Sequence, residues 1–263
     1  MTEDGSKVGD LINAIGVSLG EPSIAVVGCG GAGSNIVHGI YWGLTRIETI
    51  AVNTDEEHLR RIDAHKRILI GKDVTFGQDA GGFPEIGEHC AEKARQVLRE
   101  ALRSYDIIFV VAGMGGGTGT GVSPVVATVA KELNALTFAI PIMPFAVEGG
   151  QKTRIATDGV ERLRNAADFT VVLDNNKLAA MEGARGLPMS EAMNIMEKSV
   201  VKIVQTITSQ TSSYVNTLMH DISGYADAIE EPIVVPPNEP ADERLIHADL
   251  TPAFESYEPH MFG

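Results

Sequence analysis

Residues 112–124 read AGMGGGTGTGVSP, with six glycines and two threonines directly after an apolar run. A glycine in regular structure costs roughly 0.5–1 kcal/mol relative to alanine. A segment that carries this cost so often indicates that another group comes very close to its main chain. The stretch therefore predicts a turn whose backbone is approached by a ligand or by a neighbouring element.

The surrounding sequence alternates between strand-like and helix-like segments. The apolar run DIIFVVAG (106–113) is typical of a strand that is covered on both faces. Further strands are expected at residues 23–28, 47–55, 66–71, 136–143 and 168–174. Helices are expected from Ser34 and at residues 84–104, 119–133 and 151–166. This alternation predicts an α/β fold, with a Rossmann-like parallel sheet flanked by helices and right-handed crossovers.

The rest of the chain divides by composition. We expect an N-terminal helical extension at 1–20, a parallel-sheet domain at 21–188 and a long helix at 189–222. Residues 230–263 hold eight acidic residues, one arginine and six of the twelve prolines. Segment 223–263 is therefore predicted to be a flexible, disordered acidic tail.

Composition also excludes several classes of function. The net charge of −14 argues against a nucleic-acid-binding protein, which would carry a basic surface. No apolar run reaches the ~18 residues of a transmembrane segment, and the N-terminus lacks a signal-peptide pattern. Cys29 and Cys90 have no metal-binding spacing. We expect a cytoplasmic protein with reduced thiols.

Unusual segments follow most of the predicted strands. In an open parallel sheet, ligands bind at the carboxyl ends of the strands. The segments are 28–35 (GCGGAGSN), 53–55 (NTD), 80–85 (AGGFPE), 113–121 (GMGGGTGTG), 144–149 (PFAVEG) and 174–178 (DNNKL). Two glycine loops that lead into helices favour a phosphate site, because helix N-termini bind anions. Tight packing of the two loops is the alternative explanation.

The first loop alone also permits a dinucleotide-binding interpretation. Gly28, Gly30 and Gly33 fit the G-x-G-x-x-G pattern, and Asp55 lies where an acid would bind the ribose. An NAD-dependent oxidoreductase is therefore an alternative, although it explains neither the second glycine loop nor the absence of a substrate domain. A scaffold that has lost nucleotide binding is a third hypothesis, against which the intact glycine loops argue.

The ordered set of segments resembles the tubulin/FtsZ superfamily, on the FtsZ side, over about residues 20–222. The most specific part of the resemblance is GGGTGTG at a strand–helix turn. The resemblance implies that the protein binds GTP or GDP with Mg²⁺, and that 21–188 is the GTP-binding domain. The residues it places at the nucleotide are Gly30, Gly31, Ala32, Gly33, Ser34 and Asn35; Ala80, Gly81 and Gly82; Gly116, Gly117, Thr118, Gly119 and Thr120; and Glu148, Lys152, Asn175 and Glu197.

Some of these positions carry roles that the resemblance implies. Glu148 matches an acid that contacts ribose, and Lys152 replaces the arginine that usually accompanies it. Asn175 matches an asparagine that contacts guanine. On the long helix, Met193 stands at a base-stacking position, where we expect it to belong to the core and contact the base. Glu197 stands one turn later, where a carboxylate could accept hydrogen bonds from guanine.

The acidic loop that completes hydrolysis in this superfamily is not recognisable. The segment DISGYADAIEEP keeps Asp221 and Asp227, but the expected asparagine is missing and the spacing differs. Only 36 residues follow Asp227, too few for the family's second domain. We therefore expect nucleotide binding in cell division or membrane remodelling, with hydrolysis that is weak or dependent on a partner. No catalytic residue can be assigned.

Two kinds of partner are expected. The resemblance implies self-association or association with a full-length FtsZ. The tail carries recurring apolar side chains in an acidic background, a pattern that allows a linear motif for a protein partner. These side chains are Leu245, Ile246, Leu250, Phe254, Tyr257, Met261 and Phe262.

Overall fold

The computed structural model describes residues 22–44, 46–180, 191 and 193–210. The predicted N-terminal extension, the acidic tail and the long helix beyond residue 210 lie outside the described residues, as do Asp221 and Asp227. The predictions on those segments stay predictions.

One parallel sheet organises the described residues. Its strands are β1 (Ile24–Cys29), β2 (Glu48–Asn53), β3 (Lys66–Leu69), β4 (Ile107–Gly113), β5 (Leu136–Met143), β6 (Phe169–Thr170) and β7 (Leu173–Asp174). The order across the sheet is β3-β2-β1-β4-β5-β6, and β7 also pairs with β5. All of these pairings are parallel. The predicted Rossmann-like sheet is confirmed.

Helices connect the strands. They are α1 (Gly30–Gly43), α2 (Glu56–Arg60), α3 (Lys72–Thr75), α4 (Pro84–Lys93), α5 (Arg95–Leu102), α6 (Gly117–Glu132), α7 (Gly150–Ala166) and α8 (Asn175–Ala180). A 3-10 turn spans Ala146–Glu148. Residues 193–210 are helical and are called α9 here. No helix in the described ranges is long and apolar enough to cross a membrane.

The sheet separates two apolar cores. Successive strand residues point to opposite faces, so Val110 of β4 faces the core under α4–α7, while Phe109 faces the core under α1 and α9. Met196, Val200 and Val204 of α9 are buried in this second core. Because the central strands are covered on both faces, they can be apolar throughout, as IIFVVAG of β4 is.

The structure corrects three predicted boundaries. α1 begins at Gly30 rather than Ser34, because the positive φ of Gly30 (71°) turns the strand directly into a helix. The predicted helix 84–104 breaks at Ala94 into α4 and α5. Beyond the break Leu98 and Leu102 face the core, while Val97 is 55% exposed. The predicted strand 168–174 is two short strands.

Candidate functional site

A cavity of about 310 Å³ opens at the carboxyl edge of the sheet, within the volume range of small-molecule sites. The segments that follow β1, β2, β4 and β5 form most of its wall, and α8 and α9 contribute one residue each. The predicted residues in this wall are Gly31, Ala32, Gly116, Gly117, Thr118, Gly119, Glu148, Lys152 and Asn175. Sequence segments far apart in the chain thus meet at one place, as the parallel sheet requires.

Two helix N-termini contribute to the cavity wall. α1 follows β1 and α6 follows the neighbouring strand β4. Neither helix has a capping side chain or an acidic residue in its first turn. Backbone N–H groups in a first turn have no partner within their own helix. The site therefore offers two positive helix ends to a negatively charged ligand.

The glycines of the loops differ in how much space surrounds them. Gly31 and Gly116 line the cavity, and a Cβ added to either would meet nothing within 4 Å. Other glycines pack against protein backbone, including Gly117 and Gly119 of the cavity wall. A Cβ on Gly121 would lie 2.0 Å from the Pro84 carbonyl oxygen, and one on Gly119 would lie 2.4 Å from the Gly113 carbonyl oxygen. Tight packing therefore accounts for part of the glycine run, and only some of these glycines face the open cavity.

Thr118 joins three segments beneath the cavity. Its Oγ1 lies 2.8 Å from Oγ1 of Thr54, which follows β2, and accepts a hydrogen bond from the Ala80 N–H at 3.3 Å. Thr54 is fully buried and Thr118 is 6% exposed. The hydroxyl group of Thr118 therefore holds the end of β2 and the 80–85 segment against the glycine loop at 113–121, in addition to any contact it makes with a ligand.

A second polar network lies at the β1–β2 side of the cavity. The His58 ring connects two asparagines: its Nδ1 is 3.2 Å from Asn53 Nδ2 and its Nε2 is 3.1 Å from Asn35 Oδ1. Asp55 caps α2 by accepting a hydrogen bond from the His58 backbone N–H at 2.9 Å. Asn53, Asp55 and His58 all line the cavity.

Asn175 begins α8 at the end of β7 and lines the cavity. Its side chain is 8% exposed, and its Oδ1 has no hydrogen-bond partner among the described residues. A buried amide oxygen without a partner costs about 1–3 kcal/mol. Asn175 is therefore a polar group that a donor on a bound ligand would satisfy.

Glu148 and Lys152 form an ion pair at the rim, with Oε2 and Nζ 3.1 Å apart. The other carboxylate oxygen of Glu148 accepts a hydrogen bond from the Phe145 N–H at 2.9 Å. These contacts fix the carboxylate in position. The lysine supplies a positive charge beside the glycine loops, without the planar fork of an arginine.

The remaining predicted residues do not line this cavity. They are Gly30, Gly33, Ser34, Asn35, Ala80, Gly81, Gly82, Thr120 and Glu197. Thr120 Oγ1 accepts a hydrogen bond from the Gly115 N–H at 2.9 Å. The carboxylate of Glu197 lies over Gly39 of α1, where an added Cβ would be 1.6 Å from Oε1. Both side chains are therefore engaged with neighbouring protein elements.

Met193 differs from its prediction in one respect. It lines the cavity, as a base contact requires, but its side chain is 54% exposed. Its predicted place in the core is therefore wrong: the buried face of α9 begins at Met196, three residues later.

Five lining residues were not identified as site residues from the sequence: His58, Asp79, Met114, Ile142 and Met143. His58 stands three residues after the helix cap Asp55, and Asp79 directly precedes the 80–85 segment, so both were adjacent to recognised signals. Asp79 accepts a hydrogen bond from the Gly81 N–H. Met114 lies within the quoted glycine stretch, but nothing in its residue type marks it as a lining residue.

The site has few groups suited to covalent or metal chemistry. Burial raises the pKa of the Cys29 thiol far above its ordinary value, so this side chain beneath the loops stays protonated. Among the described residues, no cluster of three or more His, Cys, Asp or Glu side chains could hold a metal ion. The cavity wall offers backbone N–H groups, polar side chains and the ion-paired Glu148 and Lys152.

Comparison with known proteins agrees with this geometry. The model of the tubulin/FtsZ family GTPase domain matches residues 23–183. The cell division protein FtsZ 2 of Methanocaldococcus jannaschii is 41% identical over 209 residues, which are 79% of this chain and 54% of that protein. The chain thus spans about half the length of the curated relatives it matches.

Solved structures of the same family have the same fold. An empty FtsZ dimer of M. jannaschii matches with a TM-score of 0.69 and 35% identity, over 79% of this chain and 59% of that chain. A GTPγS-bound protofilament of CetZ2 from Haloferax volcanii matches with a TM-score of 0.65 and 26% identity, over 75% of this chain and 63% of that chain. The dinucleotide alternative loses its support, because the first glycine loop falls within the matched GTPase domain. The chain belongs to the tubulin/FtsZ family and carries the GTPase domain of that family.

Proposed function

We propose that this protein binds GTP and GDP in the cavity at the carboxyl edge of the sheet. The observation that carries the proposal is the convergence of two uncapped helix N-termini and two open glycine positions, Gly31 and Gly116, on one cavity. Backbone N–H groups at such helix ends bind phosphate, and glycine lets the phosphate oxygens approach. Lys152 adds positive charge at the rim.

The guanine base would lie at the other end of the cavity, between Asn175 and Met193. Asn175 carries the unsatisfied amide oxygen, which can accept a hydrogen bond from a base N–H donor. Met193 presents a polarisable side chain that can pack on an aromatic ring. Glu148 would contact the ribose from the rim, and Glu197 is a weaker candidate because its carboxylate lies over Gly39.

A magnesium ion would enter with the nucleotide. Mg²⁺ is commonly bound by one or two carboxylates together with substrate phosphates, rather than by a protein cage. Asp55 and Asp79 are the aspartates in the cavity wall, so these residues fit such an ion. When bound, the ion would neutralise negative charge on the phosphates. The role of this chain's own residues is to bind and orient the nucleotide.

We further propose that the protein acts in cell division or membrane remodelling, with GTP hydrolysis that is weak or needs a partner. The first part is supported by its relatives, which are named cell division proteins. The second part is supported by the sequence, in which the acidic motif of the hydrolysis loop is not recognisable at 221–227. Self-association or association with a full-length FtsZ is supported by the dimer and protofilament among the matching structures.

Calorimetric titration with GTP, GDP, ATP and NAD in the presence of Mg²⁺ tests the proposal, with Gly116→Val as the diagnostic variant. The new side chain has open space, so the fold should be retained while the cavity is blocked. We expect guanine-selective binding by the natural protein and at least about tenfold weaker binding by G116V, corresponding to about 1.4 kcal/mol.

Gly43→Val is the matched control. A Cβ at Gly43 also meets nothing within 4 Å, and this glycine lies at the far end of α1. Equal GTP affinity in G116V and the natural protein would contradict the proposed phosphate site. Phosphate release, followed in the same samples against protein concentration, would show whether hydrolysis depends on association.

A further inference from the structure

We propose that His58 is a positioning residue of the nucleotide site, which holds the Asn35 amide so that its N–H₂ group can donate to the nucleoside. The inference rests on the proposed function, since it concerns the same cavity. It is carried by the Asn53–His58–Asn35 network, in which a cavity-lining imidazole bridges two asparagines.

The orientation of Asn53 is set by the backbone. Its Oδ1 accepts hydrogen bonds from the N–H groups of Thr54, at 2.9 Å, and Asp55, at 3.3 Å. Both donors are main-chain groups, so the atom that they contact must be the oxygen. The Nδ2 of Asn53 therefore faces His58, and Asn53 is buried, which prevents the amide from turning toward solvent.

This orientation determines the tautomer of His58. Asn53 Nδ2 is a donor, so the Nδ1 atom that faces it must be an acceptor without a proton. In a neutral imidazole the proton then sits on Nε2, which donates to Asn35 at 3.1 Å. A chain of hydrogen bonds thus runs in one direction, from Asn53 through His58 to Asn35.

The last step assigns the two ends of the Asn35 amide. The oxygen accepts from His58, so the nitrogen is the end that can serve a ligand. Asn35 lies four residues after Gly31 on α1, so the two residues share one face of the helix. Since Gly31 lines the cavity, Asn35 stands one turn farther from the phosphate end. Its nitrogen can donate to a ribose oxygen or a purine ring nitrogen.

The test uses the different hydrogen-bonding abilities of two substitutions. Glutamine at position 58 can accept from Asn53 with its oxygen and donate to Asn35 with its nitrogen, and those atoms are separated much like the imidazole nitrogens. Leucine fills a similar volume without hydrogen bonds. Glutamine and leucine both have a high helix propensity, so neither substitution should destabilise α2. H58Q should preserve the network and H58L should remove it.

We expect H58L to weaken GDP binding about three- to tenfold, the effect of losing one neutral hydrogen bond. The affinity of H58Q for GDP should be within about twofold of that of the natural protein, which is a smaller change than the loss of one hydrogen bond would cause. In an Asn35→Ala background, H58L should have no further effect, because the two residues act as one unit. Calorimetry with GDP measures all affinities, and thermal melting verifies that each variant is folded.

Unchanged affinity in H58L would overturn the inference, as would an H58Q variant as weak as H58L or a full H58L effect in the N35A background. If H58L does not fold, His58→Ala serves in its place in the same comparisons. Loss of binding in G116V alongside unchanged binding in H58L would refute the role of His58 and leave the proposed function intact. Failure of the natural protein to bind GDP would overturn both.

Discussion

Thr118 illustrates how one residue of the glycine stretch serves structure and site together. It lines the cavity in which we propose that the nucleotide binds. The same oxygen contacts Thr54 Oγ1 and the Ala80 N–H. If substitution of Thr118 weakens binding, the cause is either a lost ligand contact or a loss of the contacts with Thr54 and Ala80. Measuring the stability of the variant separates these two causes.

We predict that Thr118→Ala lowers the free energy of unfolding by about 1–3 kcal/mol, because it leaves the buried Thr54 hydroxyl without its partner. Thr118→Ser is the control, since it retains the hydroxyl group, and it should stay within about 1 kcal/mol of the natural protein. Urea denaturation measures both. Equal stability of T118A and T118S would show that the Thr54 contact contributes nothing.

At the scale of elements, the decisive contact is that of α4 with α6. Gly121 of α6 lies directly against the Pro84 carbonyl oxygen and the Glu88 N–H of α4. Gly87 of α4 in turn lies against the Gly117 carbonyl oxygen, where an added Cβ would be 2.5 Å away. Glycines on both helices allow their backbones to approach, and this approach places the 80–85 segment beside the cavity. The glycine run is thus also a packing surface.

Gly121→Ala should therefore destabilise the protein by about 1–3 kcal/mol or more, because the new methyl group would overlap backbone atoms that cannot move independently. Gly43→Ala is the matched change, since a Cβ there meets no atom within 4 Å. It should be neutral or slightly stabilising. The denaturation midpoints of the two variants in urea give the comparison, and a G121A variant as stable as G43A would contradict the packing role.

At the scale of the whole molecule, α9 closes the second core and also reaches the cavity. Met193 lines the cavity, while Val200 and Val204 on the same helix are fully buried against the sheet. Packing of this helix therefore connects the ligand site to the core beneath α1. Because a single sheet separates the two cores, we expect the described region to unfold in one cooperative transition.

Val204→Ala should lower the free energy of unfolding by about 1–3 kcal/mol through the cavity that it leaves in the second core. The adjacent Gln205 is exposed, so Gln205→Ala is expected to change stability by less than about 0.5 kcal/mol. Denaturation followed by circular dichroism and by tryptophan fluorescence should give coincident curves. Separate transitions would refute the single cooperative unit.

The sequence by itself determined the fold class, the edge of the sheet at which the cavity lies, and the family. The period of the apolar runs and the GGGTGTG stretch are local sequence patterns, so they can be recognised without knowing which helices and strands are in contact. It also indicated residues such as Asn175 and Lys152, because they belong to recognisable segments at strand ends.

Only the tertiary structure decided which glycines face open space and which pack on backbone, since that depends on where α4 comes to lie against α6. It also decided that Met193 is exposed, that Ala94 ends a helix, and that His58 joins Asn53 to Asn35. The glycine contacts and the contact of His58 with Asn35 join residues distant in the chain, and their geometry is set when the helices pack on the sheet.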